Sequence, residues 1–272
     1  MGTRVVLITG ASSGIGKCLA LEYAKRGAHL VLLARRLGLL EETANECRKS
    51  NPGIRIGCYE VDVTDRDAMQ SVIEKASVLI GEIDTVVANA GFGVVGKVET
   101  LKAEDFRRQL ETNFFGVLNS LYPCIEMLKQ NKGRIGIVGS VSSYFSFSDV
   151  APYTVSKYAV RALAETLYLE LSRYSVSTTL ICPGFVESQI RMVDNKGKYD
   201  SNRHEPVPAY LVMPGEKAAK KIVDAIEKRK REKYLTRLGA LTIILARMFQ
   251  GPLYFILRQI SIRSKESKII EI

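Results

Sequence analysis

A β-branched run, Val5–Thr9, passes directly into Gly10-Ala11-Ser12-Ser13-Gly14-Ile15-Gly16 and then into the helix formers of residues 17–26. No other stretch limits the fold so sharply. Apolar residues without polar alternation read as a buried strand. The glycines allow a tight turn that brings backbone amides close to a ligand at the start of a helix. Orphan N–H groups and the helix dipole at such a start favour a phosphate. The spacing, Thr9-Gly10-x-x-x-Gly14-x-Gly16, differs from Gly-x-Gly-x-x-Gly. Its place between strand and helix still predicts nucleotide binding through Gly10, Ser12, Ser13, Gly14, Ile15 and Gly16.

The alternation continues down the chain. Strands are predicted at His29–Ala34, 54–61, 84–88, 134–139, 176–182 and 234–236, with helical stretches between them at 37–50, beyond Asp65, 103–130, 153–173 and 215–230. This order predicts one Rossmann-type α/β domain, a doubly wound parallel sheet, over residues 1–237. Ligands of such sheets bind at the carboxyl ends of the strands, so residues placed there are the candidates for function. Arg35 and Arg36 follow the second strand, where an acidic residue would favour a free ribose hydroxyl. Guanidinium forks suit a 2′-phosphate and predict NADP(H). Asp62, with Val63 beside it, ends the third strand and can accept from the adenine amine, while Asp65 or Thr64 caps the next helix. Asn89-Ala90-Gly91 ends the fourth, where small residues let backbone approach the cofactor. The fifth delivers Ser140.

Tyr153 and Lys157 stand four residues apart at the start of a helix-forming run and share one helix face. A phenol titrates near pH 10 in water, so proton transfer near neutrality calls for a nearby cation. A charge about 5 Å away at an effective dielectric of about 20 is worth roughly 3 kcal/mol, or about two pKa units. Asn113 falls inside the 103–130 stretch, read as one long amphipathic helix. Its amide must be satisfied there, either by bracing the core or by holding a water near the site.

Taken together, Thr9-Gly10-x-x-x-Gly14-x-Gly16, Asn89-Ala90-Gly91, Asn113, Ser140, Tyr153-x-x-x-Lys157 and Pro183-Gly184 resemble the short-chain dehydrogenase/reductase family over residues 3–237. The resemblance implies that Tyr153 is the general acid of ketone reduction and that Lys157 lowers its pKa and binds the nicotinamide ribose. It also implies that Ser140 holds the substrate oxygen and that Asn113 supports a proton-relay water. Pro183, Gly184, Val186 and Ser188 are implied cofactor contacts. The local sequence is Gly-Ser-Val-Ser-Ser-Tyr rather than the usual Ser-Ser-x-x-Gly, and the family spacing of thirteen residues before the tyrosine selects Ser140. Ser142 then contacts substrate or backbone, or the two serines exchange roles. The stretches 14–22 and 156–165 are similar to 3-ketodihydrosphingosine reductases, with membrane-bound hydroxysteroid dehydrogenases as a second comparison.

Residues 185–214 carry Gly197, Pro206, Pro208 and Pro214 without periodicity, and a loop of that length in a compact domain is commonly a lid. Phe185, Ile190, Met192 and Val193 are its candidate substrate contacts. Of 39 Lys and Arg, 14 fall from Gly215 onward, against 6 of the 29 Asp and Glu, so most of the net charge of +10 lies there. The basic cluster 228–233 lacks an aromatic platform or recognition motif, which argues against nucleic acid. Residues 238–272 form an apolar, basic tail. Its span 238–257 is interrupted by Arg247, Gln250 and Gly251-Pro252, which disfavours crossing a bilayer. Two shorter segments suit insertion into one leaflet, carrying Ile243, Ile244, Phe249, Tyr254, Phe255 and Ile256 and bordered by Arg237, Arg258, Arg263, Lys265 and Lys268. The competing expectation is that the tail is a dimer interface or packs on the core. The five scattered cysteines, lacking Cys-x-x-Cys spacing, the absence of metal-ligand spacing and of any Asn-x-Ser/Thr sequon, and an opening that reads as strand rather than signal peptide predict a reducing compartment. The expectation is an NADPH-dependent lipid-ketone reductase, a homodimer on the cytoplasmic side of a membrane. Its alternatives are a soluble carbonyl or hydroxysteroid reductase and a non-catalytic NADP(H)-binding regulator.

Overall fold

Seven strands, β1 (Val5–Thr9), β2 (His29–Ala34), β3 (Ile56–Glu60), β4 (Thr85–Ala88), β5 (Arg134–Val138), β6 (Ser177–Cys182) and β7 (Glu232–Tyr234), form one sheet in the order β3-β2-β1-β4-β5-β6-β7. Every pairing is parallel. This computed structural model describes residues 4–199 and 207–269, with side chains through Gln259. Pro206, assigned to the loop, and the side chains of Arg263, Lys265 and Lys268, assigned to the tail's basic border, lie outside the described residues.

β1, β2 and β4 are buried at every residue but His29, and apolar apart from Thr9, His29 and Thr85, because helices cover both faces of the sheet. Successive residues of β1 therefore enter different cores: Leu7 packs with Val31, Leu33 and Ile135, and Val6 and Ile8 pack with Leu30, Leu32 and Ile222. The strand order reverses between β1 and β4, whose partners Ile8 and Val87 lie side by side. Here the connections leave in opposite directions and a crevice opens.

The helices are α1 (Gly14–Lys25), α2 (Leu37–Ser50), α3 (Arg66–Leu79), α4 (Ala103–Leu110), α5 (Gly116–Leu121), α6 (Ile125–Gln130), α7 (Ala151–Glu170), α8 (Gly215–Glu227), α9 (Arg237–Met248) and α10 (Gln250–Ile269). Asp65 caps α3, accepting from the Ala68 N–H at 3.0 Å. The long helix expected over 103–130 is instead three helices. A π-turn, Glu111–Phe115, joins α4 to α5, and the 3₁₀ turn Tyr122–Cys124 joins α5 to α6. Pro123 has no N–H to continue the ladder, and Asn113 at the π-turn is held from outside the helix.

The tail bends by 117° between α9 and α10, and among the described residues no single helix is long and apolar enough to cross a membrane. Ile243, assigned to leaflet insertion, is instead fully buried in the main core, together with Ala246. Arg247, read as an interruption of an apolar span, donates to both carboxylate oxygens of Glu232 at 2.9 and 3.1 Å and stacks on Tyr144. One face of α9 is thus part of the domain. The other exposes Leu241, Ile244 and Met248.

Candidate active site

The glycine turn sits at the crevice. Gly10 has φ +67°, and a Cβ on Gly16 would collide with the Gly10 carbonyl, so α1 starts against the turn only because both residues lack side chains. Asn89 and Thr9 brace the turn. The Asn89 amide donates to the Thr9 carbonyl at 2.9 Å, and Thr9 Oγ1 accepts from the N–H groups of Asn89 and Ala90 at 3.0 Å each. The Ser13 side chain does not cap α1, and the first turn holds no acidic residue, leaving the helix start open to an anion. These features fit the pyrophosphate of a dinucleotide.

Behind this turn lies a cavity of about 520 Å³. Gly10, Ser12, Ser13, Gly14, Ile15, Arg35, Arg36, Asp62, Val63, Asn89, Ala90 and Gly91 line it, with Ser188 against Gly14, and Ser140, Tyr153, Lys157, Pro183, Gly184 and Val186 complete the wall. Gly16 is not on the wall; it serves packing. Arg36 reaches back to Ser13 Oγ at 2.8 Å and to Ser12 Oγ and Gln189 Oε1 at 3.3 Å. Arg35 lies 3.7 Å from Asp62, whose other oxygen accepts from the Thr64 N–H and hydroxyl.

Helix α7 carries Tyr153 and Lys157 on one face. The Ser140 hydroxyl lies beside the Tyr153 phenol and accepts from the Ser142 N–H at 3.1 Å, while the Ser140 N–H donates to Ser143 Oγ at 3.2 Å. Ser142 is buried off the cavity wall, so its observed contact is with Ser140 through backbone. Lys157 Nζ donates to the Val138 carbonyl at 2.8 Å and lies 5.6 Å from the centre of the Tyr153 ring. Burial pushes its pKa down to about 8.

Burial also pushes the Tyr153 phenol above its ordinary range, against the Ser140 hydroxyl and the Arg191 guanidinium, which pull it down. This corrects the expectation that Lys157 leaves Tyr153 with a lowered pKa. Desolvation of the phenolate outweighs the charges around it. A phenol held protonated is a proton donor.

Asn113 is fully enclosed. Its amide donates to the Phe92 carbonyl at 3.1 Å and to Ser156 Oγ at 3.0 Å, and its oxygen accepts from the Phe92 N–H at 3.1 Å. Ser156 in turn donates to the Tyr153 carbonyl at 2.7 Å. The side chain braces the start of α7 with both of its amide hydrogens and one lone pair of its oxygen. Of the proposed substrate contacts, Ile190 and Val193 are on the wall; Met192 and the exposed Phe185 are not. Sequence reasoning missed Thr112, Gln189, Arg191 and the stretch 197–199, all on the wall. A cation in the middle of a loop already suspected of covering the site was the available signal for Arg191.

A crevice with a proton donor and guanidinium groups on its wall suits a nicotinamide-dinucleotide oxidoreductase. Residues 4–198 match the family described as short chain dehydrogenase, and the chain belongs to that family. The 11-beta-hydroxysteroid dehydrogenase A of Sesamum indicum is 36% identical over 189 residues, 69% of this chain and 53% of that protein. The 3-ketodihydrosphingosine reductase of Mus musculus is 34% identical over 230 residues, 82% of this chain and 68% of that protein. The chain thus spans about half to two thirds of the length of these relatives. Among solved structures, an alcohol dehydrogenase from Thermococcus sibiricus complexed with 5-hydroxy-NADP superposes with a TM-score of 0.74 at 28% identity, covering 86% of this chain and 96% of that one. A short-chain dehydrogenase/reductase from Burkholderia phymatum in complex with NAD gives 0.79 at 25% identity, covering 89% and 92%.

Proposed function

We propose that this chain is an NADPH-dependent reductase that transfers a hydride to the ketone of a long-chain lipid at a membrane surface. The observation that carries the reaction is the Tyr153 phenol beside the Ser140 hydroxyl with Lys157 buried behind them, in the same cavity that Arg35 and Arg36 line. When bound, the nicotinamide supplies the hydride. Ser140 orients the carbonyl oxygen, and the Tyr153 hydroxyl gives its proton to that oxygen as negative charge develops on it. Lys157 stabilises the phenolate left behind. Asn113 and Ser156 fix the backbone from which Tyr153 projects.

Two observations support the lipid. α9 rises from beside the site, since Gly239 packs against Val141, the neighbour of Ser140, and against Gly184. The Tyr254 hydroxyl on α10 accepts from the Ser146 N–H at 3.2 Å, so the exposed apolar faces of both helices flank the catalytic edge. The likeness to a 3-ketodihydrosphingosine reductase points the same way, and the sesame relative makes a steroid ketone the second reading. A screen of NADPH consumption over long-chain 3-keto lipids, steroid ketones and small ketones should give its highest kcat/KM with the lipid. NADPH should bind at least about tenfold more tightly than NADH, the worth of one charge-assisted phosphate contact. Arg36→Ala should remove most of that preference. Equal dissociation constants, or turnover confined to small ketones, would overturn the respective part.

The pH dependence follows from Lys157. Its ammonium is present below about pH 8 and lost as pH rises through that value, whereas Tyr153, pushed upward, stays protonated throughout. Reduction should therefore fall by up to tenfold per pH unit above about 8. A profile flat from pH 6 to 10 would remove the Lys157 charge from the mechanism.

A further inference from the structure

Beyond Pro183-Gly184 the loop doubles back on itself. Val193 and Tyr199 pair as an isolated antiparallel bridge, and Asp194 organises the tip between them. Its carboxylate accepts from the N–H groups of Lys196 and Lys198 at 2.9 and 2.8 Å, and its own N–H donates to the Lys198 carbonyl at 2.7 Å. Gly197, buried at φ +79°, gives the turn a conformation that other residues resist.

This tip is fastened on both sides of the cavity. On one side the Asn195 side chain makes two hydrogen bonds to the backbone of Val95, donating to its carbonyl at 2.8 Å and accepting from its N–H at 3.0 Å. Arg108 donates to the Asn195 carbonyl at 2.8 Å. On the other side Arg35 donates to the Gly197 carbonyl at 2.8 Å. Val95 follows the end of β4 and Arg35 follows β2, with β1 between them in the sheet. The tip therefore crosses the carboxyl edge of three strands at the point where the crevice opens. Lys198 and Tyr199 lie on the cavity wall with Arg35 and Arg36.

We propose that residues 194–198 form a strap across the adenosine half of the dinucleotide cleft, and that Lys198 joins Arg35 and Arg36 as a third cation for a phosphate on the adenosine ribose. The inference rests on the NADPH reading above and extends it to a segment counted so far as substrate loop. Three cations outnumber the two nearby carboxylates, Asp62 beside Arg35 and Asp194 on the Lys198 N–H, and leave this corner net positive, a better environment for a phosphate dianion than for a bare ribose. Because Gly197 is tied to Arg35, the phosphate end of the cofactor is coupled to a loop whose earlier residues Ile190, Arg191 and Val193 line the same cavity. Cofactor identity then affects closure over the substrate as well as cofactor affinity.

The test is titration of wild type, Lys198→Ala, Lys198→Arg and Asn195→Ala with NADPH, NADH, adenosine 2′,5′-bisphosphate and AMP, with dissociation rates from stopped-flow fluorescence. Lys198→Ala should weaken NADPH and the bisphosphate about tenfold, as expected for one charge-assisted contact, and leave NADH and AMP nearly unchanged. Lys198→Arg should restore most of the loss. Asn195→Ala should speed release of both NADPH and NADH several-fold, since it unfastens the strap without touching the phosphate cations. Because Lys198 is exposed, equal melting temperatures are expected and separate a binding loss from misfolding. A wild type that binds NADPH and NADH equally would defeat the cofactor reading and this inference with it. A wild type that prefers NADPH through Arg36, with Lys198→Ala unchanged in affinity and Asn195→Ala unchanged in release rate, would overturn the strap alone.

Discussion

Tyr153→Phe should lower ketone reduction by about 10²–10⁴-fold, the range over which a positioned proton donor contributes, while cofactor binding and fold stay close to wild type. The substitution removes one oxygen. Its neighbour, the Ser140 hydroxyl, keeps the Ser142 N–H, so the structural cost is at most that of one hydrogen bond, about 1 kcal/mol. Ser140→Ala should cost rate as well, but less, because the phenol and its proton remain. Ser142→Ala should cost least, because Ser142 reaches Ser140 through a backbone N–H that alanine retains. Steady-state kinetics with one ketone, beside cofactor titrations of the same variants, gives the order. Turnover of Tyr153→Phe within a few-fold of wild type would remove Tyr153 from proton transfer.

What the sequence made legible is local. The strand, glycine turn and helix at residues 5–26 are contiguous, and the Tyr153 and Lys157 pair lies within one helical turn, so periodicity and spacing were enough. The broken helix over 103–130 was not legible as such. Pro123 was a visible break, but the π-turn depends on Asn113 meeting Phe92 and Ser156, the latter 43 residues away. The Tyr153 pKa was misjudged for a related reason. Charge spacing can be read from sequence, whereas desolvation depends on what the fold packs around the ring. The link from Arg35 to Gly197 spans 162 residues, and no pattern near either residue announces it. Arg247 is the clearest case. In sequence it is a charge interrupting an apolar span; in the fold it is the partner of Glu232.

That placement of Arg247 changes how the tail must be tested. A chain ended at Thr236 should lose stability as well as any membrane contact, since it strips Ile243 and Ala246 from the core and leaves Glu232 with only the longer contact to Arg231 in place of Arg247. Loss of a buried Ile side chain alone costs about 2–5 kcal/mol, against a total stability of about 5–15 kcal/mol. At about 2–4 °C per kcal/mol for a domain of this size, the melting temperature should fall by roughly 4–20 °C. Failure of the truncated protein to bind vesicles would therefore say little. Changing the exposed face is the sharper experiment: Ile244, Met248, Phe249 and Phe255, between 47% and 68% exposed, all converted to Ser. Each would contribute roughly 1 kcal/mol if half its apolar surface left water, so the four together are worth about 10³-fold in partition. The intact protein should co-sediment with phosphatidylserine vesicles at low salt, helped by the exposed Arg237 and Arg258 and weakened as salt screens them. The four-residue variant should keep its melting temperature and stay in the supernatant. If instead the wild type ignores vesicles and sediments as a dimer that the variant splits, the apolar face is a subunit interface, and the lipid would have to reach Tyr153 from solution.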